Sequence, residues 1–119
     1  MSPAVRRGDG PRVLMMSSNG TGMGHLTRLL AYARHLPGVV PGVQTSFLSL
    51  STAAPMVRTL GYDTEYLPST GATGMRSAEW RRFFAQRLHD VLERVRPDVV
   101  VFDGTHPYRG IDEAIAAFP

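Results

Sequence analysis

Neither lysine nor cysteine occurs anywhere in these 119 residues. Without lysine the chain cannot build a P-loop, whose grip on phosphates needs a lysine followed by Ser or Thr. Without cysteine it has no disulfides and no thiolate chemistry, although that alone leaves the compartment open. Long apolar runs are missing too, and nothing approaches the ~20 residues needed to cross a bilayer. The segment Met1 to Gly10 carries Arg6 and Arg7 but no apolar core behind them, so it is not a signal peptide. Residues 1–11 are expected to form a disordered leader on a cytoplasmic protein. Charge of one sign is scarce as well: thirteen arginines face ten carboxylates, for a net charge of +3. The densest basic group, Arg76, Arg81, Arg82 and Arg87, surrounds one predicted helix and reads as a solvated face. A nucleic-acid partner is not expected, because the bases do not gather into a face with interleaved aromatics.

What remains is enough for one domain, since a chain of this length can bury roughly two-thirds of its unfolded surface. Arg12 to Ser17 reads as a buried strand, and Leu26, Leu29, Leu30, Ala33 and Leu36 then recur at helical spacing from His25 until Pro37-Gly38. A second strand is expected over Val43 to Leu50. Ser51 is placed to cap a short helix that reaches Leu60 and ends at Gly61. Tyr62 to Leu67 gives a third strand. The stretch Pro68 to Arg76 is then too long for a minimal connection. Trp80, Phe83, Phe84, Leu88, Val91, Leu92 and Val95 form the apolar stripe of the longest helix, which Pro97 breaks. Asp98 to Phe102 is the clearest buried strand, and a last helix begins near Ile111. Strand and helix alternating four times predict an α/β fold, a doubly wound, Rossmann-like parallel sheet. Such a sheet normally continues, so the chain is expected to be one lobe of something longer.

The most informative segment is Ser17-Ser-Asn-Gly-Thr-Gly-Met-Gly-His25, where a strand meets three alternating glycines and then a helix. Gly20, Gly22 and Gly24 permit close approach to the main chain, and the helix adds free N–H groups and the positive end of its dipole. This outlines an anion site. A dinucleotide fingerprint would space its third glycine one residue later and place a carboxylate at the end of the second strand, where this chain reads Phe47-Leu-Ser-Leu-Ser-Thr52. Strand carboxyl ends in a parallel sheet share one edge. Asp103 therefore comes near His25 if the first and fourth strands are neighbours. An imidazole so placed can take a proton from a hydroxyl, with a carboxylate on its other nitrogen fixing the tautomer. A histidine at a helix start also serves as mere packing, and the glycine loop also suits a non-catalytic module that binds a phosphate or nucleotide.

Two segments carry a family resemblance. Ser18-Asn-Gly-Thr-Gly-Met-Gly-His25 resembles the first-strand loop, and Pro97-Asp-Val-Val-Val-Phe-Asp-Gly104 the fourth strand and its loop, of the N-terminal lobe of GT-B glycosyltransferases. The branch is that of the bacterial UDP-N-acetylglucosamine transferase that makes lipid II and of the diacylglycerol sugar transferases. The resemblance spans residues 12 to 118. It implies one lobe of a two-lobe GT-B architecture over residues 12–119, lacking the donor-binding lobe and inactive by itself. It further implies transfer from a nucleoside-diphosphate sugar, UDP-linked, to an acceptor hydroxyl, with His25 as general base and Asp103 in support. Asn19, Gly20, Thr21, Gly22, Met23, Gly24, Thr27, Arg28, Gly104, Thr105 and His106 are the implied substrate-binding residues. Asn19 and Met23 stand where the lipid II enzyme's loop has glycines, so the acceptor is not carried over. No metal and no cofactor are expected, the nucleotide-sugar being a co-substrate. The acceptor is a small molecule or a lipid. A lipid acceptor would bring the chain to the inner face of the membrane, with Met75, Trp80 and the neighbouring arginines offered to an anionic surface.

Overall fold

A computed structural model describes residues 10–20, 24–68 and 73–104, together with Ile111 and Ala116. Most of the expected leader, Thr21 to Met23 of the glycine loop, Thr105 to Gly110 and most of the last helix lie outside the described residues. The elements are β1 (Arg12–Gly20), α1 (Gly24–Val39), β2 (Gln44–Ser51), α2 (Ala54–Thr59), β3 (Asp63–Tyr66), α3 (Ser77–Val95) and β4 (Val99–Asp103). All strand pairs are parallel, in the order β3-β2-β1-β4. This α/β architecture is compatible with a Rossmann-like fold.

Alternation along the strands explains why helices cover both faces. Val13 and Met15 of β1 and Phe47 of β2 pack with Leu26, Leu29 and Ala33 of α1 and Val57 of α2. Leu14, Met16, Leu48 and Leu50 point the other way, onto Trp80, Phe84, Leu88, Val91 and Leu92 of α3 and onto Ile111. Trp80 is buried, stacks on Phe84 with ring centroids 5.0 Å apart, and donates its indole N–H to the Pro68 carbonyl at 2.8 Å. It belongs to the core, and so is not offered to a membrane surface. On the outer side of α3, Arg87 and Arg94 pair with Glu65 and Asp63 of β3. Hydrogen bonding to Glu65, helped by its charge, raises the Arg87 pKa. No helix among the described residues is long and apolar enough to cross a membrane.

Several boundaries differ from the sequence reading. Strand β1 runs on to Gly20, because a register shift between Ser17 and Gly20 lets the chain bulge and still pair Gly20 with Ser51. Helix α1 passes through Pro37. In its last turn a proline forfeits only the bond to the Ala33 carbonyl, and the Val40 N–H still closes on Leu36 at 2.7 Å. Ser51 belongs to β2 and does not cap α2. Its hydroxyl accepts the Ala53 N–H in a turn just before the helix, and Pro55 sits in the first turn of α2. Gly61 does end that helix, at φ 99°, in the region that glycine alone enters without strain. At the far end of α3, Arg96 takes the left-handed cap (φ 54°, ψ 58°) immediately before Pro97.

One row of register partners crosses the whole sheet near its C-terminal rim: Tyr66, Ser49, Ser17 and Asp103. The row below it on the same face is Thr64, Phe47, Met15 and Val101, so the α1 face turns from largely apolar to polar in a single step. Ser17 and Ser49 are buried and share a hydrogen bond of 2.7 Å, and Ser49 Oγ also accepts the Ser51 N–H at 2.9 Å. Ser49 thus satisfies two buried groups, and Ser17 only one. In urea unfolding of the full chain, Ser49→Ala is expected to cost about 1–3 kcal/mol and Ser17→Ala about 0.5–1.5 kcal/mol. Equal costs would show that the Ser51 amide finds another acceptor.

Candidate active site

The order β3-β2-β1-β4 means that the chain winds away from β1 in one direction and then returns to its other side. Between β1 and β4 the connections leave in opposite senses, which opens the crevice where ligands sit in parallel α/β sheets. The ends of β1 and β4, which lead into the two loops singled out from sequence, border that crevice. Helix α1 starts there. Leu26, Leu29 and Ala33 anchor its inner face on the apolar rows, which leaves His25 and Arg28, three residues apart on an adjoining stripe, over the end of β4.

Both side chains reach the same carboxylate. His25 Nδ1 lies 2.6 Å from Asp103 Oδ1, and one terminal nitrogen of Arg28 donates to Oδ1 and Oδ2 at 3.0 Å each. Asp103 is 12% exposed, His25 38% and Arg28 55%. An ionised carboxylate only accepts, so this contact assigns the proton of a neutral imidazole to Nδ1 and the lone pair to Nε2. Asp103 holds its position through register, as the direct neighbour of Ser17. The pairing begins at the opposite end of the strands, where the Arg12 N–H donates to Asp98 Oδ2 and the Asp98 N–H donates to the Arg12 carbonyl, both at 2.8 Å. What results is a partly accessible imidazole, oriented from behind, next to the first turn of a sixteen-residue helix.

The residues expected to bind substrate are placed unequally. Gly20 ends β1 and Gly24 opens α1. Gly104 follows β4 and is half-buried. Thr27 is exposed on the first turn of α1, about 200° around the helix from His25. Arg28 engages Asp103, a contact that sequence reasoning missed. The signal was present as the i, i+3 spacing from His25. The side chain of Asn19, the residues Thr21, Gly22 and Met23, and Thr105 and His106 lie outside the described residues. Of the other histidines, His35 is exposed on α1 and His89 is half-buried on α3. Among the described residues no group of three His, Asp or Glu side chains is placed to hold a metal ion.

Gly24 differs from the expectation for the glycine loop. It has no positive φ, and a Cβ built on it would meet nothing within 4 Å. Neither backbone conformation nor packing requires glycine there. Among the described residues nothing fills the space beside it.

Comparison with protein-family models, with curated proteins and with solved structures finds no match to this chain.

Because Gly24 occupies the first helical position without strain, Gly24→Ala is expected to stabilise the fold by about 0.4–1 kcal/mol. Denaturant titration checks this, and a destabilised variant would reveal a demand on that backbone that the open surroundings do not explain.

Proposed function

We propose that this chain is a lobe of a GT-B glycosyltransferase that moves a sugar from a nucleoside-diphosphate sugar, UDP-linked, to an acceptor hydroxyl. The observation that carries the reading is the His25–Asp103 contact at the crevice between β1 and β4. It joins two residues that border the glycine loop and the loop after β4 and stand 78 positions apart in the sequence. Both loops resemble the corresponding GT-B segments. The lobe takes the acceptor side, and a second lobe holds the donor.

In this reading Nε2 of His25 accepts the acceptor proton as the hydroxyl oxygen attacks the anomeric carbon. The bond from that carbon to the diphosphate oxygen breaks, and the electron pair leaves with the nucleoside diphosphate. Asp103 stabilises the imidazolium that forms and preserves its orientation. The first-turn N–H groups of α1 and the positive end of its dipole favour the negative charge that grows on the leaving group. His25 later returns its proton to solvent.

A module that only binds phosphate or nucleotide would need no base, and this separates the two readings experimentally. The full-length protein is incubated with UDP-glucose, UDP-galactose or UDP-N-acetylglucosamine and with dioleoylglycerol vesicles or glycerol as acceptor, and UDP release and glycoside formation are measured. His25→Ala is expected to lower transfer by about 10²–10⁴, the usual contribution of a general base, with thermal unfolding unchanged. A loss below about tenfold would overturn the assignment of His25, and absence of transfer with every donor would overturn the reading itself.

A further inference from the structure

We infer that Arg28 is a positioning residue for the His25–Asp103 pair: it clamps the Asp103 carboxylate in the orientation that presents Oδ1 to His25 Nδ1. The role in transfer rests on the function proposed above, but the geometry that motivates it is independent of any substrate.

Asp103 is the last residue of β4, which among the described residues is an edge strand. Strand register fixes its backbone but not the two torsions of its side chain, and one hydrogen bond from one imidazole does not fix the plane of a carboxylate. Arg28 provides the second constraint. Its nitrogen sits astride the fork, equidistant from the two oxygens, while His25 takes Oδ1 from the neighbouring turn of the same helix. Two donors held three residues apart on one rigid element define the carboxylate plane, which neither could do alone. Arginine also supplies a permanent positive charge to an anion that is 12% exposed, so compensation does not have to come from the group that handles protons.

A purely stabilising role fits the exposure poorly. Arg28 is 55% exposed, and a guanidinium so open to solvent adds little to stability through its ion pair. Its effect is therefore expected in orientation, with little effect on folding.

The test labels histidine rings with ¹⁵N in the full-length protein and reads the two ring nitrogens at about pH 8.5, above the ordinary range of histidine titration. The His25 signals are assigned by their loss in His25→Gln. In the parent protein Nδ1 is expected to carry the proton alone. In Arg28→Met, which keeps the aliphatic stem, the two nitrogens are expected to move toward each other as the tautomers mix, with the melting temperature unchanged. Arg28→Lys keeps the charge without the planar fork and is expected to fall between the two. Transfer by Arg28→Met is expected to show kcat lowered roughly three- to tenfold at constant KM, well short of the loss of the base itself. Ring shifts in Arg28→Met identical to those of the parent overturn the proposal, as does a variant that loses stability in proportion to its change in shift. The two readings fail separately. Unchanged shifts with transfer abolished by His25→Ala remove the clamp and leave the base, whereas changed shifts with transfer indifferent to His25→Ala remove the base and leave the clamp.

Discussion

Parallel pairing of β1 with β4 is the constraint on which the site depends. Were β4 placed at the other edge, beyond β3, Asp103 would stand two strands farther from His25 and the helix after β1 would face an empty rim. Register matters equally. Ser17 and Asp103 are direct partners, and because side chains alternate, a slip of one residue would turn Asp103 away from α1 and put Phe102 or Gly104 in its place. The apolar rows below set that register, with Met15 beside Val101 and Phe47. Burial of large side chains in the middle of the sheet thus determines the position of a carboxylate at its end.

The same face shows how an apolar core gives way to a polar site without stranding buried groups. Ser17 and Ser49 are buried where the strands stop being hydrophobic, and they answer each other's hydroxyls and the Ser51 amide. Beside them Asp103, still only slightly exposed, is met by His25 and Arg28. A buried polar atom is costly chiefly when it lacks a partner. Here the last row is matched in pairs across the strands and from the helix above. Helix α1 contributes to both layers, anchoring by its leucines and reaching down with His25 and Arg28.

Much of this was readable from the sequence, because the signals involved were local and strong. Val99 to Phe102 between Pro97 and Gly104 allowed little besides a strand, and the stripe from Trp80 to Val95 allowed little besides a helix on a sheet face. Yet β4 lies at the sheet edge among the described residues, with Val99 exposed and the rest half-buried where full burial was expected. The approach of His25 to Asp103 followed from topology once β1 and β4 were taken as neighbours. Pro37 misled, since a proline in a last turn costs one hydrogen bond and need not end the helix at once. Ser51 misled for a related reason, as its hydroxyl serves a turn before α2 and so imitates a cap. The shared grip on Asp103 was less legible. Spacing places Arg28 beside His25, but only the depth at which α1 sits on the sheet decides whether a guanidinium reaches the carboxylate or a passing phosphate.

Among the described residues Asp103 lies on an outer strand, and this has a further consequence. Peripheral strands open more readily than central ones, through local fraying that leaves the remaining fold intact. Each such excursion of β4 would carry the carboxylate off its histidine, while β1 and β2 stayed zipped together beneath α1. The alignment of His25 with Asp103 would then track the opening equilibrium of one short strand, and whatever docks along that margin would govern the pair without ever touching it.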